Sequence, residues 1–178
     1  DKGGTLQVGP HSAGADPGPV CYEKGGTDPT ITDANVVLGI LHPEHLLAGK
    51  VKINRDKAYE AIADMGSKLG LEPLRTAEGI IRIINAKMEE GVRAVSTERG
   101  YDLRDFVLVA FGGAGPIPAG RLAADLSMPT TVVPPTPGAT SALGLLLADP
   151  RRDYMASRLR GLSDLDPQEA AGLFARLE

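Results

Sequence analysis

The feature that most constrains this chain is an unbroken apolar run over residues 106–111 that leads directly into a glycine-rich turn over residues 112–116. The run predicts a buried strand, the glycines predict a tight turn, and Pro116 suits the first position of a helix. Backbone without side chains can approach a ligand closely, and a helix N-terminus presents free N–H groups. The junction is therefore typical of nucleotide-binding α/β proteins, although a turn that only joins a strand to a helix is the alternative. The candidate cofactor-binding residues are Gly112, Gly113, Ala114 and Gly115.

The turn departs from two common glycine-rich phosphate motifs. A dinucleotide fingerprint requires a third glycine where Pro118 stands and an acidic residue after the next strand, whereas the strand predicted over residues 130–133 ends in prolines. A P-loop requires Gly-Lys followed by Ser or Thr, and no glycine run in this sequence continues in that way. A Rossmann-type NAD(P)-binding domain is therefore the weaker alternative for this junction.

Composition and charge narrow the function classes further. The chain has 178 residues, 42% of them hydrophobic, which is enough for a core, and its net charge of −4 provides no basic surface for nucleic acid. Its single cysteine, Cys21, cannot form an internal disulfide, and no apolar run is long enough to span a membrane. We therefore expect a cytoplasmic protein with neither a nucleic-acid nor a membrane partner. Because the sequence opens at Asp1 without a methionine and stops within a helical pattern, we also expect a fragment of a longer chain.

The periodicity of apolar residues predicts an α/β fold. Helices are predicted over residues 55–69, which Gly70 ends, and over residues 76–98, where one face is apolar throughout. A short helix is predicted to end at Gly39, with Thr32 or Asp33 as its N-cap. The other predicted elements are strands over residues 5–9, 106–111 and 130–133 and helices that begin at Pro116, cover residues 140–148 and begin near Pro167. The alternation of helices and strands after residue 76 predicts a parallel or mixed sheet flanked by helices.

Residues 10–30 are rich in glycine and proline and predict a long irregular loop. Prolines that alternate with glycines make such a loop stiff between its pivots, as suits the wall of a ligand site. Asp16, Asp28 and Asp33 could serve Mg²⁺ directly or through water. An aspartate beside a proline or near a helix start is, however, more often a turn or cap residue.

Several other patterns are predicted to carry no chemistry. His11, His42 and His45 lack the spacing of metal ligands on one structured face, so no metal site is predicted from this chain. Cys21 has no neighbouring histidine that would activate its thiol. Asp1-Lys2-Gly3-Gly4-Thr5 is similar to the phosphate hairpin of actin-like kinases, but such a hairpin needs a hydrophobic strand immediately before the aspartate. An exposed turn before a strand is predicted instead.

Four motifs, in one order along most of the chain, resemble the hydantoinase A / 5-oxoprolinase family, which also includes subunits of acetone and acetophenone carboxylases. They are Val-Gly-Pro-His-Ser-Ala-Gly-Ala-Asp-Pro-Gly-Pro at residues 8–19, Pro-Thr-Ile-Thr-Asp-Ala-Asn at 29–35, Phe-Gly-Gly-Ala-Gly-Pro at 111–116 and Ser-Ala-Leu-Gly-Leu at 141–145. The candidate residues for substrate contact or for the wall of the cleft come from these motifs. They are Ser12, Gly14, Asp16, Thr32, Asp33, Asn35 and Ser141.

The resemblance implies an actin-like ATPase fold of the ribonuclease H-like class, with two related halves around a nucleotide cleft. This chain would belong to the later half. Residues 1–160 would be the C-terminal portion of the nucleotide-binding domain, and residues 161–178 would start a following helical segment. Residues 112–115 would then match the motif on the adenosine side of ATP, with both phosphate hairpins upstream of Asp1. The family usually has a histidine where Pro118 stands, so any role of that histidine would be missing here.

The chemistry that the resemblance implies is ATP-dependent opening of a cyclic amide such as 5-oxoproline or a hydantoin. The nitrogen of a ring amide is a poor leaving group, so phosphorylation of the amide oxygen would make the carbon electrophilic before water attacks, with Mg²⁺ bridging the phosphates. In carboxylase relatives the same activation would act on a ketone enolate or on bicarbonate. A companion hydantoinase B-type subunit or domain is the expected partner, and the isolated fragment is expected to be inactive, with no catalytic residue assigned. The alternative is a non-catalytic assembly module whose loop at residues 10–30 docks a partner subunit.

Overall fold

A computed structural model of the chain describes residues 5–44, 52–157, 159, 161 and 166–177. The turn predicted at residues 1–4 and His45 lie outside the described residues. By compactness the chain divides into two units, residues 1–140 and residues 141–178. The helices and strands, in chain order, are α1 (Ile31–Val37), α2 (Arg55–Leu69), α3 (Pro73–Val95), β1 (Val107–Val109), α4 (Pro116–Asp125), β2 (Thr130–Val132), α5 (Thr140–Leu147) and α6 (Pro167–Leu177).

Helices α1, α2 and α3 form the core of the first unit. The predicted helix over residues 55–69 is confirmed: Asn54 caps it by accepting a hydrogen bond from the N–H of Lys57 at 3.0 Å, and Gly70 ends it in the left-handed conformation. Helix α3 begins three residues before the predicted start because Pro73 occupies its first turn, where a missing N–H costs nothing. The buried apolar residues of this core are Cys21, Ala34, Val36, Val37, Ile53, Ala58, Ile62, Ala77 and Ile80.

Helices α2 and α3 pack closely against each other at Gly66. A Cβ atom at this position would lie 2.5 Å from Oγ1 of Thr76 and 2.7 Å from the carbonyl oxygen of Leu71. Both distances are shorter than any van der Waals contact, so only glycine permits this packing without a shift of the two helices.

The sheet has two parallel strands, and α4 connects them. Val107 pairs with Thr130, Leu108 with Thr131 and Val109 with Val132. Ala119, Leu122 and Ala123 of α4 are buried, as are Leu126, directly after the helix, and Ala110, at the end of β1. The predicted α/β fold with a small parallel sheet flanked by helices is therefore confirmed.

The prediction that residues 106–111 form a buried strand is wrong in part. Only Val107–Val109 have strand geometry, and the side chains of Phe106, Val107, Val109 and Phe111 are about half exposed. Alternation explains three of these exposures, because Val107, Val109 and Phe111 point to the face opposite that of half-buried Leu108 and buried Ala110. The described residues supply no second layer for the opposite face. Phe106 lies before the strand, with its ring edge-on to Tyr101 at a centroid distance of 5.8 Å.

The strand predicted over residues 5–9 is absent from the described structure. This segment is held by side chains instead: Leu6 and Val8 pack against the helical core, and Nζ of Lys87 donates a hydrogen bond to the carbonyl oxygen of Val8. Its alternation of apolar residues reflects this packing and not a β ladder. The N-cap of α1 is Thr30 and not Thr32 or Asp33, because Asp33 serves as the third helical residue of a capping box.

The second unit contains α6 and nearly all of α5. Both helices lie where they were predicted, over residues 140–148 and from Pro167. None of the residues of α5, all of which are described, is buried. Within the described ranges, no helix combines the length and the apolar character needed to cross a bilayer. The predicted boundary at residue 160 stays a prediction.

Candidate functional site

The glycine junction between β1 and α4 has two positions at which only glycine fits. Gly112 has a φ of 90°, which L side chains rarely adopt, and its N–H donates to the carbonyl oxygen of Pro137 at 2.8 Å. A Cβ atom on Gly115 would lie 2.0 Å from the carbonyl oxygen of Phe111. These two residues therefore fix the path of the backbone.

Gly113 is constrained neither by a positive φ nor by a neighbour, because no described atom lies within 4 Å of the position that a Cβ atom would take, as is also the case at Gly112. The neighbouring Ala114 is exposed. Neither the turn nor the rest of the described structure fills the space beside Gly113. Gly113 is therefore an exposed residue of the turn, and its contact with a nucleotide stays a prediction.

The N-terminus of α4 does not present the free N–H groups expected from the sequence. Pro116 and Pro118 have no N–H, and the N–H of Ile117 donates to the carbonyl oxygen of Ala114 at 3.1 Å. Ala119 is the first residue of the helix whose N–H can reach a carbonyl one full turn back. The helix start is therefore poorly suited to bind phosphate, and that part of the sequence prediction is wrong.

Asp33, predicted as a wall residue, is completely buried at the start of α1. Its carboxylate accepts hydrogen bonds from the N–H of Cys21 and of Thr30 and from the hydroxyl of Thr30, each at 2.8 Å. A longer bond of 3.2 Å comes from the N–H of Val20. Asp33 thus ties the end of the long loop to the first helix, and direct contact with a ligand stays a prediction.

The thiol of Cys21 is a neighbour of the Asp33 carboxylate, and its surroundings make it unreactive. Burial raises the pKa of the Cys21 thiol far above its usual range, and a hydrogen bond to Asp33 and the charge of that carboxylate raise it further. A thiolate is the nucleophilic form of cysteine, so this residue is a structural one.

The predicted wall residues Ser12, Gly14 and Asp16 lie together on the exposed part of the loop at residues 10–19. The loop is tied within itself: the hydroxyl of Ser12 accepts from the N–H of Gly14 at 3.2 Å, and the carbonyl oxygen of Ala13 accepts from the N–H of Gly18 at 3.2 Å. Its tip is therefore both exposed and held by hydrogen bonds.

The remaining predicted residues lie on helices α1 and α5. Thr32 and Asn35 are three residues apart on α1, on one face of the helix, with Thr32 half-buried and Asn35 buried. Oδ1 of Asn35 has no hydrogen-bond partner among the described residues. Ser141 is an exposed residue of α5 in the second unit.

A surface cleft of about 460 Å³ was not predicted. It lies between the end of the loop and α2, and its charged groups are Glu23, Lys57 and Glu60. The pair Gly25-Gly26 was the sequence feature that could have predicted the cleft, since two residues without side chains leave space beside a helix. None of the predicted site residues lines this cleft. Among the residues that the structure describes, no three His, Cys, Asp or Glu side chains come together in a way that could hold a metal ion.

These observations define an α/β protein with a small parallel sheet and an exposed glycine junction between β1 and α4. The profile of the hydantoinase/oxoprolinase family matches residues 1–154. The chain therefore belongs to the hydantoinase/oxoprolinase family, as the four motifs predicted.

Two characterised relatives show the range of this family. The chain is 45% identical over 165 residues to the caprolactamase subunit alpha of Pseudomonas jessenii, a match that covers 92% of this chain and 24% of that protein. It is 42% identical over 160 residues to the acetophenone carboxylase gamma subunit of Aromatoleum aromaticum, with 89% of this chain and 22% of that protein covered. The chain thus spans about a quarter of the length of the relatives that it matches.

A solved structure confirms the fold. The crystal structure of the ATP-dependent caprolactamase from Pseudomonas jessenii superposes with a TM-score of 0.77 at 42% identity, over 99% of this chain and 26% of that one. The Rossmann-type alternative gains no support from these matches.

Proposed function

We propose that this chain is the nucleotide-binding part of an ATP-dependent enzyme that opens a cyclic amide, and that it forms part of an actin-like ATPase domain. The observation that carries the proposal is the open backbone at Gly113, between two positions that only glycine can occupy. The ATP-dependent caprolactamase provides the second support, since caprolactam is a cyclic amide and the match extends over nearly the whole chain. We also infer that the enzyme works in the cytoplasm.

The proposed reaction uses ATP to activate an amide. Transfer of the γ-phosphoryl group to the amide oxygen breaks the bond to ADP and leaves the ring carbon electrophilic. Water then adds to that carbon, and the carbon–nitrogen bond breaks as the nitrogen takes up a proton, which leaves an acyl phosphate. A second water hydrolyses the acyl phosphate to a carboxylate and inorganic phosphate. Mg²⁺ belongs to this proposal as the usual partner of ATP. Because the described residues form no cluster that fits the metal, we assign it no ligand in this chain.

The nucleotide site is tested by Gly113→Leu in the full-length polypeptide that contains this chain. The added side chain would enter the open space, so we expect ATP to bind about 10-fold more weakly or worse in calorimetry, a loss of roughly 1.4 kcal/mol. Gly120→Leu is the matched control, because Gly120 lies on α4 and also has no described atom within 4 Å of a Cβ position. An affinity for ATP that changes less than twofold in Gly113→Leu would contradict the proposal.

The substrate on which ADP release depends distinguishes the hydrolase branch of the family from the carboxylase branch. We expect ADP release by the purified full-length enzyme, with its companion subunit, to depend on a lactam, a hydantoin or 5-oxoproline. A dependence on bicarbonate together with a ketone would instead assign the chain to the carboxylase branch.

A second candidate is a non-catalytic assembly module that docks a hydantoinase B-type companion subunit. The exposed and internally bonded tip of the loop at residues 10–19 favours it, and both characterised relatives are named as subunits. Asp16→Lys in the full-length polypeptide should then abolish co-purification of the companion, whereas Asp28→Lys, at another exposed aspartate, should not. Equal recovery of the companion with both variants would contradict a docking role for the loop tip.

A further inference from the structure

The outer face of the two-stranded sheet is an apolar surface that the described residues leave uncovered. It consists of Val107, Val109 and Phe111 from β1 and its end, and of Val132, which pairs with Val109, from β2. Their side chains are 50%, 51%, 50% and 44% exposed. We call these four residues the outer sheet surface.

Such a surface is unusual for a parallel sheet. Parallel strands are almost always covered on both faces, and a sheet of two short strands is marginal by itself. Each of the two strands also has one edge that no described strand pairs. The two strands are therefore typical of the middle of a larger sheet, in which further strands pair with both edges.

Helix α5, considered by itself, also exposes large apolar side chains. Leu145, Leu146 and Leu147 are 80%, 83% and 76% exposed, and three consecutive leucines point in three directions around the helix. A helix that is apolar on all sides is typical of one that is buried from all sides.

We propose that the outer sheet surface and α5 are both covered by the rest of the same polypeptide, in the part that this chain does not include. The matched caprolactamase retains this fold over 99% of the present chain and continues over the remaining three quarters of its own length. A parallel neighbour for β1 or β2 reaches the sheet through a crossover within one chain. A second copy related by a two-fold axis would pair identical edges antiparallel, which this sheet does not otherwise use.

The test uses the reactivity of introduced cysteines, for which the chain is well suited. The one cysteine of this chain, Cys21, has no exposed surface, so we expect it not to react in the folded state. Val109→Cys and Leu146→Cys report on the two surfaces, and Lys68→Cys, on the polar side of α2, shows that the reagent reaches an exposed site. Labelling by a maleimide is followed at each site by peptide mass spectrometry, in the full-length polypeptide as the cell makes it and without nucleotide.

We expect labelling at Val109→Cys and Leu146→Cys to be at least about 100-fold slower in the native full-length polypeptide than in the same protein in denaturant, a protection of roughly 2.7 kcal/mol. Lys68→Cys should differ far less. Because no nucleotide is present, failure here is distinguishable from failure of the proposed ATP site.

Several results would overturn this inference. A native polypeptide of 18.6 kDa, the mass of this chain alone, would leave nothing to cover the two surfaces. Rapid labelling in the full-length polypeptide would show that the surfaces stay open. Protection in the 178-residue chain, with a dimer seen by light scattering, would identify a second copy as the cover. Protection that appears only after the companion subunit is added would identify that subunit instead.

Discussion

At the scale of single residues, Asp33 shows what a sequence pattern can and cannot reveal. Its place near a helix start made it a candidate N-cap as well as a candidate wall residue, but Thr30 is the N-cap and Asp33 completes the capping box from the third helical position. Its hydrogen bonds to the N–H groups of Val20 and Cys21 cross 13 and 12 residues of the chain. No local pattern predicts such contacts, because they depend on how the loop returns to the helix.

We expect Asp33→Asn to destabilise the fold by about 3 kcal/mol, because one acceptor oxygen becomes a donor that faces other donors and the charge on the buried hydrogen bonds is lost. Urea denaturation measures this change. Asp28→Asn is the control, since Asp28 is exposed and should change the free energy of unfolding by less than about 0.5 kcal/mol. Equal stability of the two variants would show that the network around Asp33 contributes little.

Cys21 gives a prediction on pH. Its thiol has a raised pKa in the folded state, so the folded protein keeps the proton after the unfolded chain, with a thiol pKa of about 8.5, has lost it. The protonated thiol therefore makes its full contribution to the free energy of unfolding below about pH 8.5. Above this pH the free energy of unfolding falls by about 1.4 kcal/mol per pH unit. Cys21→Ser removes this titration, so its unfolding free energy should fall less between pH 8.5 and 10. Parallel slopes for the two proteins would contradict the assignment.

At the scale of elements, the two long helices were predicted well because a one-sided apolar pattern over 15 or 23 residues has few alternatives. The segment at residues 5–9 was not, because short alternation does not distinguish a strand from an extended segment held by its side chains. In the glycine junction, the turn and the start of the helix could be predicted from the sequence. That the first N–H groups of the helix are not free became clear only when the structure placed Pro116 and Pro118 in the first turn of α4.

The contact between α2 and α3 makes a sharp prediction about glycine. Gly66→Ala should destabilise the fold by about 2 kcal/mol, because its Cβ atom would collide with Thr76 and Leu71. Gly91→Ala, in the exposed part of α3 where no described atom lies within 4 Å of a Cβ position, should stabilise it by up to about 1 kcal/mol. Thermal unfolding of both variants measures the difference, and a Gly66→Ala variant as stable as the parent would show that the helices can move apart freely.

At the scale of the whole molecule, the fold class and the family could be predicted, whereas the completeness of the nucleotide site could not. The family follows from motifs that keep their order over most of the chain. The groups that would hold the phosphates of ATP are a matter of three-dimensional assembly. In this chain the start of α4 offers no such group, because two of its first three residues are prolines and the third uses its N–H within the turn.

This arrangement predicts how the chain should distinguish adenosine from ATP. If the open backbone at Gly113 contacts only the nucleoside, the 178-residue chain should bind adenosine and ATP with affinities that agree within about twofold, as measured by NMR titration, and should show no ATP turnover. The full-length polypeptide should bind ATP at least about 10-fold more tightly than adenosine, because charge-assisted hydrogen bonds to the phosphates are then added. A strong preference of the short chain for ATP would place phosphate contacts within it and would contradict the assignment of this junction to the adenosine side.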